Sequence, residues 1–223
     1  MGRQLSFEWP HEVTFGEDSY YVSEANGTAY AMVTRPGDWP EGKLVLAGPQ
    51  GSGKTHLARL FAARTGALIL DAPALAGTEP LPETGDVVLE DADRLPRQAE
   101  EWVFHLHNSL AAAGGALLFT AAAPPTRWAV ALPDLVSRLQ AATVVKIGDP
   151  DDALLAAVLR KILRDRQLAY ADGLIPWLVP RMTRSFAAAR RTIDVLEAAA
   201  LGRGKRLTIN LAREVLQMDA DDA

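Results

Sequence analysis

The chain has 223 residues, 48% of them hydrophobic, and a formal net charge of −5, enough apolar material for one sizeable core plus a small appended unit. It contains no cysteine, which excludes disulfides and thiolate metal centres and fits a reducing, cytoplasmic setting. No run approaches the roughly 18 apolar residues needed to cross a bilayer, no apolar signal core opens the chain, and the acidic balance argues against wrapping nucleic acid over a broad surface.

Residues 1–12 read as a tail that carries Leu5, Phe7 and Trp9 ahead of any recognisable element. Apolar side chains in such a place are available to a partner. A helical segment follows, and Pro36, Gly37, Pro40 and Gly42 separate it from the first strand. Short apolar runs then alternate with longer stretches of helical period, the pattern of a parallel sheet covered by helices. The runs are KLVLAG from Lys43, ALIL from Ala67, DVVLED from Asp86, ALLFTA from Ala116 and TVVKI from Thr143. The helical stretches include KTHLARLFAARTG, QAEEWVFHLHNSLAAAGG and LPDLVSRLQ. Proline and glycine dominate residues 72–85, an expected surface connection. The spacing thus predicts an α/β core over residues 13–148.

After GDPDD the strands stop. Asp149 is expected to cap a helix with Pro150 at its first position and Asp151 and Asp152 in its first turn. Leu154, Leu155, Val158, Leu159, Ile162 and Leu163 recur at helical spacing. A short helix over LIPWLVPRM, a longer one from about Arg184 to Leu201 closed by Gly202, and a last one from near Thr208 to near Met218 complete a helical unit over residues 149–223.

The chemistry concentrates in GPQGSGKT, Gly48 to Thr55. The run satisfies G-x-x-x-x-G-K-[ST], follows a strand and opens a helix, which is the context the motif needs. Gly51 and Gly53 let backbone N–H groups turn inward, Lys54 brings a charge to β- and γ-phosphates, and the Thr55 hydroxyl can ligate Mg²⁺. Gly48, Pro49, Gln50 and Ser52 complete the loop. Downstream, DVVLEDADRL delivers Glu90 and Asp91 to the carboxyl end of a strand, where open α/β sheets bind ligands. One acid can hold the metal with Thr55 while the next orients a water. Glu90 stands where such a site usually has Asp.

GPQGSGKTHL, DVVLEDADRL, LPDLVSRL before a strand, and the C-terminal helices together resemble the AAA+ core of the bacterial DnaA family. The resemblance runs from about Gln4 to Met218 and is closer to its shorter Hda branch, the regulatory inactivators of DnaA. It implies a P-loop NTPase core with a five-stranded parallel sheet and a helical lid, holding ADP or ATP with Mg²⁺. It implies that Arg138, in DLVSRL, is an arginine finger offered to a neighbour's γ-phosphate. It places Tyr21 and Val22 at the base and His56 just behind the loop. Gln4, Leu5, Ser6 and Phe7 resemble the Q-L-x-L/F peptide by which Hda proteins bind the sliding clamp of the replicative polymerase. The chain ends at Ala223 with no stretch matching DnaA's helix-turn-helix domain, so DNA is expected to be met only through the clamp.

Two positions depart from the pattern. The polar sensor after the fourth strand is replaced by Thr120, Ala121 and Ala122, and the lid's sensor arginine aligns with Ala187. Arg190 lies three residues further on, on roughly the same helix side, with Arg184 and Arg191 nearby. Losing both sensors implies slow intrinsic hydrolysis and a retained ADP. The function expected is therefore a clamp-tethered regulator that stimulates hydrolysis of DnaA-bound ATP and prevents re-initiation. An autonomous AAA+ ATPase of the helicase-loader or remodelling type, or a truncated DnaA-like initiator, is the alternative. His105 and His107, two apart on a helix, are assigned no chemistry.

Overall fold

The computed structural model describes residues 20–82, 85–201 and 206–221. Gln4, Leu5, Ser6 and Phe7 lie outside these, as does Gly202. Five strands form one parallel sheet in the order β2-β3-β4-β1-β5, with β1 at Lys43–Ala47, β2 at Leu68–Asp71, β3 at Val87–Glu90, β4 at Leu117–Ala121 and β5 at Thr143–Lys146. All five expected strands are present. The central β1 and β4 are buried at every position, which explains why they read as unbroken apolar runs rather than alternating ones.

The helices that cover the sheet are α1 (Gly27–Val33), α2 (Lys54–Thr65), α3 (Glu100–Ala113) and α4 (Pro133–Ala141). On one face α1 and α2 close a core of Leu57, Phe61, Leu44 and Leu46, with the Trp39 indole stacked on Phe61 at 5.1 Å. On the other, α3 and α4 close a second core of Leu106, Leu110, Leu89, Phe119 and Leu135. Each fully buried leucine contributes about 1.5–3 kcal/mol.

The end of the sheet where the strands begin is drawn tight. A Cβ on Gly115 would collide with the Gly85 carbonyl oxygen, and Gly42 approaches the Gly115 carbonyl from the other side. The buried Lys43 ammonium donates to that same Gly115 oxygen (3.2 Å), and the Ala116 N–H donates to the Asp86 carboxylate (2.7 Å). Glycine is required at Gly115 because the Gly85 carbonyl fills the space of a side chain, with a Leu110 methyl carbon 3.1 Å from where its Cβ would lie.

Past β5 come α5 (Asp152–Asp165), α6 (Leu174–Leu178), α7 (Phe186–Leu201) and α8 (Ile209–Asp221). They enclose a third core of their own, drawn wholly from residues between Leu155 and Ala212. The cap of α5 is Asp151, not the expected Asp149: the Asp151 backbone is extended, and its carboxylate accepts from the Leu154 N–H at 2.7 Å. Pro150 therefore stands ahead of the helix. Helix α7 starts at Phe186 rather than Arg184, since the Ser185 hydroxyl accepts from the Ala188 N–H (3.0 Å). Thr208 caps α8 in the same way, through the Leu211 N–H (3.2 Å).

Helices α5 and α7 lie side by side and run in the same direction. Arg184 pairs with Asp152 near their starts (2.8 Å), and Arg166 bridges Asp194 (2.6 Å) and Glu197 (2.7 Å) further along.

Candidate functional site: the glycine loop and its cleft

The glycine loop leaves β1 at Gly48 and ends at the first residue of α2, Lys54. Gly51 and Gly53 have φ of +83° and +93°, the left-handed region that glycine enters without steric cost. A side chain would also lack space, because a Cβ on Gly53 would lie 3.0 Å from the Tyr20 ring. The Lys54 ammonium is buried under the loop and donates to the carbonyls of Gly48 (2.7 Å) and Pro49 (3.0 Å). Burial holds it below the usual lysine pKa, while Asp91, Asp93 and Glu90, in that order of strength, pull the other way. The Ser52 hydroxyl oxygen is buried without a hydrogen-bond partner among the described residues.

The loop forms one wall of a cleft of about 780 Å³ whose other walls are the Tyr20–Tyr21 segment, α5 and the start of α7. Gln50, Gly51, Ser52, Gly53, Lys54, Thr55, His56, Tyr21 and Arg190 all line it. Gly48 and Pro49 stand behind the lining as the acceptors of Lys54. His56 packs against the Tyr20 ring at 5.1 Å. Tyr21 and Val22 are each 47% exposed, but only Tyr21 faces the cleft. Asn26 holds that turn, donating to the Tyr21 carbonyl (2.9 Å) and accepting from the Ser23 N–H (2.8 Å).

Of Glu90, which ends β3, and Asp91, which follows it, Asp91 lines the cleft together with Thr55 and Glu90 does not. One Glu90 carboxylate oxygen is instead buried with no hydrogen-bond partner among the described residues. Asp91 takes a left-handed conformation, φ +52°, and its N–H donates to the Thr120 hydroxyl at 3.1 Å. Thr120 is 1% exposed, so its hydroxyl fixes the acidic turn rather than facing the cleft. The Ala122 N–H donates to the Asp93 carboxylate (3.0 Å). Thr120 and Ala122 thus serve the turn that presents Asp91, while the Ala121 carbonyl accepts from the Gly48 N–H (3.1 Å).

Arg190 comes close to the loop: a Cβ on Gly51 would meet its guanidinium nitrogen at 3.4 Å. Ala187 is exposed and outside the cleft lining. Arg184 is engaged with Asp152, and Arg191 is exposed away from the cleft. Arg138 sits in the last turn of α4, exposed and outside the cleft lining. The residue that fixes its helix is Glu100, 4% exposed, whose carboxylate accepts from the N–H groups of Ala131 (3.0 Å) and Leu132 (2.7 Å). Nothing in the sequence pointed to Glu100 beyond its place in a helix's first turn. His107 is buried on α3, and burial, then Lys43 and Arg138, hold its pKa below the usual histidine value.

The residues present fit a phosphate chain with a divalent cation. A loop with two left-handed glycines, a buried ammonium, a hydroxyl at the helix start and a facing carboxylate supply the donors, the charge and two oxygen ligands.

No protein-family model matches the chain. An uncharacterized protein of Haemophilus influenzae is 29% identical over 187 residues, 77% of this chain and 80% of that one. Domain III of the Thermotoga maritima replication initiation protein DnaA superposes with a TM-score of 0.72 at 18% identity, covering 94% of this chain and 98% of that one. AMPPCP-bound DnaA from Aquifex aeolicus gives 0.60 at 16% identity, with 81% and 64% covered. The Thermotoga maritima RuvB branch migration motor gives 0.63 at 15% identity, with 92% and 72% covered. With its five-stranded parallel sheet, its glycine loop and the helices that follow, the chain has a DnaA-like AAA+ fold.

Proposed function

We propose that this chain is a nucleotide-binding regulator of replication initiation of the Hda kind. Gln4, Leu5, Ser6 and Phe7 would dock it to the sliding clamp, and Arg138 would complete the ATP site of a neighbouring DnaA molecule. The observation that carries this reading is the separation of two parts: a glycine-loop cleft that fits ADP or ATP with Mg²⁺, and an exposed Arg138 that does not reach it. A guanidinium so placed serves a second molecule's phosphates better than its own. In the cleft, Lys54 would meet the phosphates, Thr55 and Asp91 the cation, Tyr21 the base and Arg190 the terminal phosphate. The bound nucleotide fixes α5–α8 against the sheet and so sets the pose in which Arg138 is offered. DNA is reached only through the clamp, in the cytoplasm.

The test is ATP hydrolysis by DnaA in the presence of this protein and DNA-loaded clamp. Stimulation should vanish in Arg138→Ala while clamp capture persists, and should be lost with capture when Leu5 and Phe7 are replaced by alanine. Unchanged hydrolysis with the intact protein refutes the reading. A second reading, an autonomous ATPase, is favoured by Asp91 and Thr55 sharing one cleft. A partner-free turnover rate on the order of 1 s⁻¹ would support it.

A further inference from the structure

Arg138 rides on α4, and α4 has no side-chain cap of its own. Leu132 stands at its N-cap without a capping side chain, and Pro133, its first residue, has no N–H to give. The cap comes from α3. The buried Glu100 carboxylate accepts from the Leu132 N–H through Oε2 (2.7 Å) and from the Ala131 N–H through both oxygens (3.1 and 3.0 Å). Glu100 is also the first residue of α3, so one carboxylate lies at the starts of two helices, the end at which the helix dipole favours it. Charge-assisted bonds of this kind are about twice as strong as neutral ones.

The other anchorage of α4 is apolar. Leu135 and Leu139, on either side of Arg138 in the chain, are buried in the second core. Apolar burial is non-directional: it holds the helix against the sheet but does not fix its pitch or roll. The directional bonds at the start of α4 are those of Glu100. From Leu132 to Arg138 the helix rises about 9 Å, so a tilt of about 10° at its start carries the Arg138 backbone roughly 1.5 Å from its place. A misplacement on the order of 1 Å in a catalytic group can cost about 10²-fold in rate.

We infer that Glu100 is a positioning residue for Arg138: by fixing the start of α4 it sets how well the guanidinium is aimed at a second molecule's phosphates, and so the maximal rate of the hydrolysis this chain stimulates. This rests on the role in trans proposed for Arg138. Glu100 itself is buried and outside the lining of the cleft, so it meets neither the nucleotide nor the partner. Its loss should therefore lower the rate and spare binding.

The experiment follows hydrolysis of DnaA-bound ATP against increasing amounts of this protein on DNA-loaded clamp. Glu100→Gln keeps the size of the side chain and turns one acceptor oxygen into a donor facing two N–H groups. It should lower the maximal rate about tenfold. The half-saturating concentration, clamp capture and ADP affinity should each stay within about twofold of the intact protein. Thr208→Ala, which removes the cap of α8 instead, is the control: it should lower Tm and leave the maximal rate unchanged. Glu100→Asp keeps the charge but is one methylene shorter; it should also lower the maximal rate, and it decides the matter where the Gln variant does not fold. A folded Glu100 variant with the maximal rate of the intact protein overturns the inference. So does an equal loss in Thr208→Ala, or a loss seen only as a raised half-saturating concentration. If Arg138→Ala keeps the stimulation, the reading of Arg138 falls and this inference with it. If Arg138→Ala abolishes stimulation and the Glu100 variants do not lower it, the inference alone falls.

Discussion

Thr120→Val tests how the acidic turn is held. The substitution keeps the shape of a side chain that is 1% exposed and deletes the oxygen that accepts from the Asp91 N–H at 3.1 Å. The donor belongs to a residue in a left-handed conformation, so the turn loses the bond that pins it. Removing one such acceptor costs about 1–2 kcal/mol, which in a chain of this length lowers Tm by roughly 2–8 °C. Asp91 is then free to leave the cleft, and the affinity gained on adding Mg²⁺ should fall by up to about tenfold. The assay is thermal unfolding followed by ADP titration with and without Mg²⁺. Thr120→Ser is the control, since it retains the hydroxyl and should lose stability through the missing methyl without losing the metal response. Val and Ser variants with the same metal response would refute the link between Thr120 and the presented carboxylate.

Other expectations are checked as directly. His107 holds out against protonation in the fold, whereas an unfolded imidazole titrates near 6.5; acid therefore favours unfolding from about that pH down to the folded value. His107→Gln should flatten the fall of the urea midpoint over that range. Asp151→Ala removes the cap of α5 and should cost about 1 kcal/mol, read as a Tm drop of roughly 2–4 °C. Gly51→Ala forces a side chain into a left-handed loop position against Phe186 at 3.3 Å; ADP titration should show binding weakened at least about tenfold, with a loss of about 1–2 kcal/mol in stability.

Much of this fold was legible because burial writes itself into sequence. The buried β1 and β4 leave unbroken apolar runs, and the glycine loop is a local motif whose spacing fixes its geometry. Helix starts were read less well. Asp149 and Asp151 offer the same carboxylate two residues apart, and only the backbone decides which one meets the Leu154 N–H. At the site, Tyr21 and residues 50–56, singled out by the motif or the resemblance, line the cleft, while Gly48, Pro49, Val22 and Glu90 fall outside its lining. The roles of Thr120 and Glu100 depend on partners 29 and 31 or 32 residues away. Such bonds have no signature in spacing along a chain. Arg190 was reachable by helical period, since three residues from Ala187 leads to nearly the same helix side.

The crowded margin around Gly115 acts as a hinge-free anchor for the whole sheet. With the origins of β1, β3 and β4 held together by the Lys43 and Asp86 side chains and by close glycine contacts, insertions or bulkier residues there would splay these three strands. The far margin is where the loops are long and bear the ligand-facing groups. A related chain could exchange its base contacts or its acids by loop changes alone, and still inherit the same rigid footing.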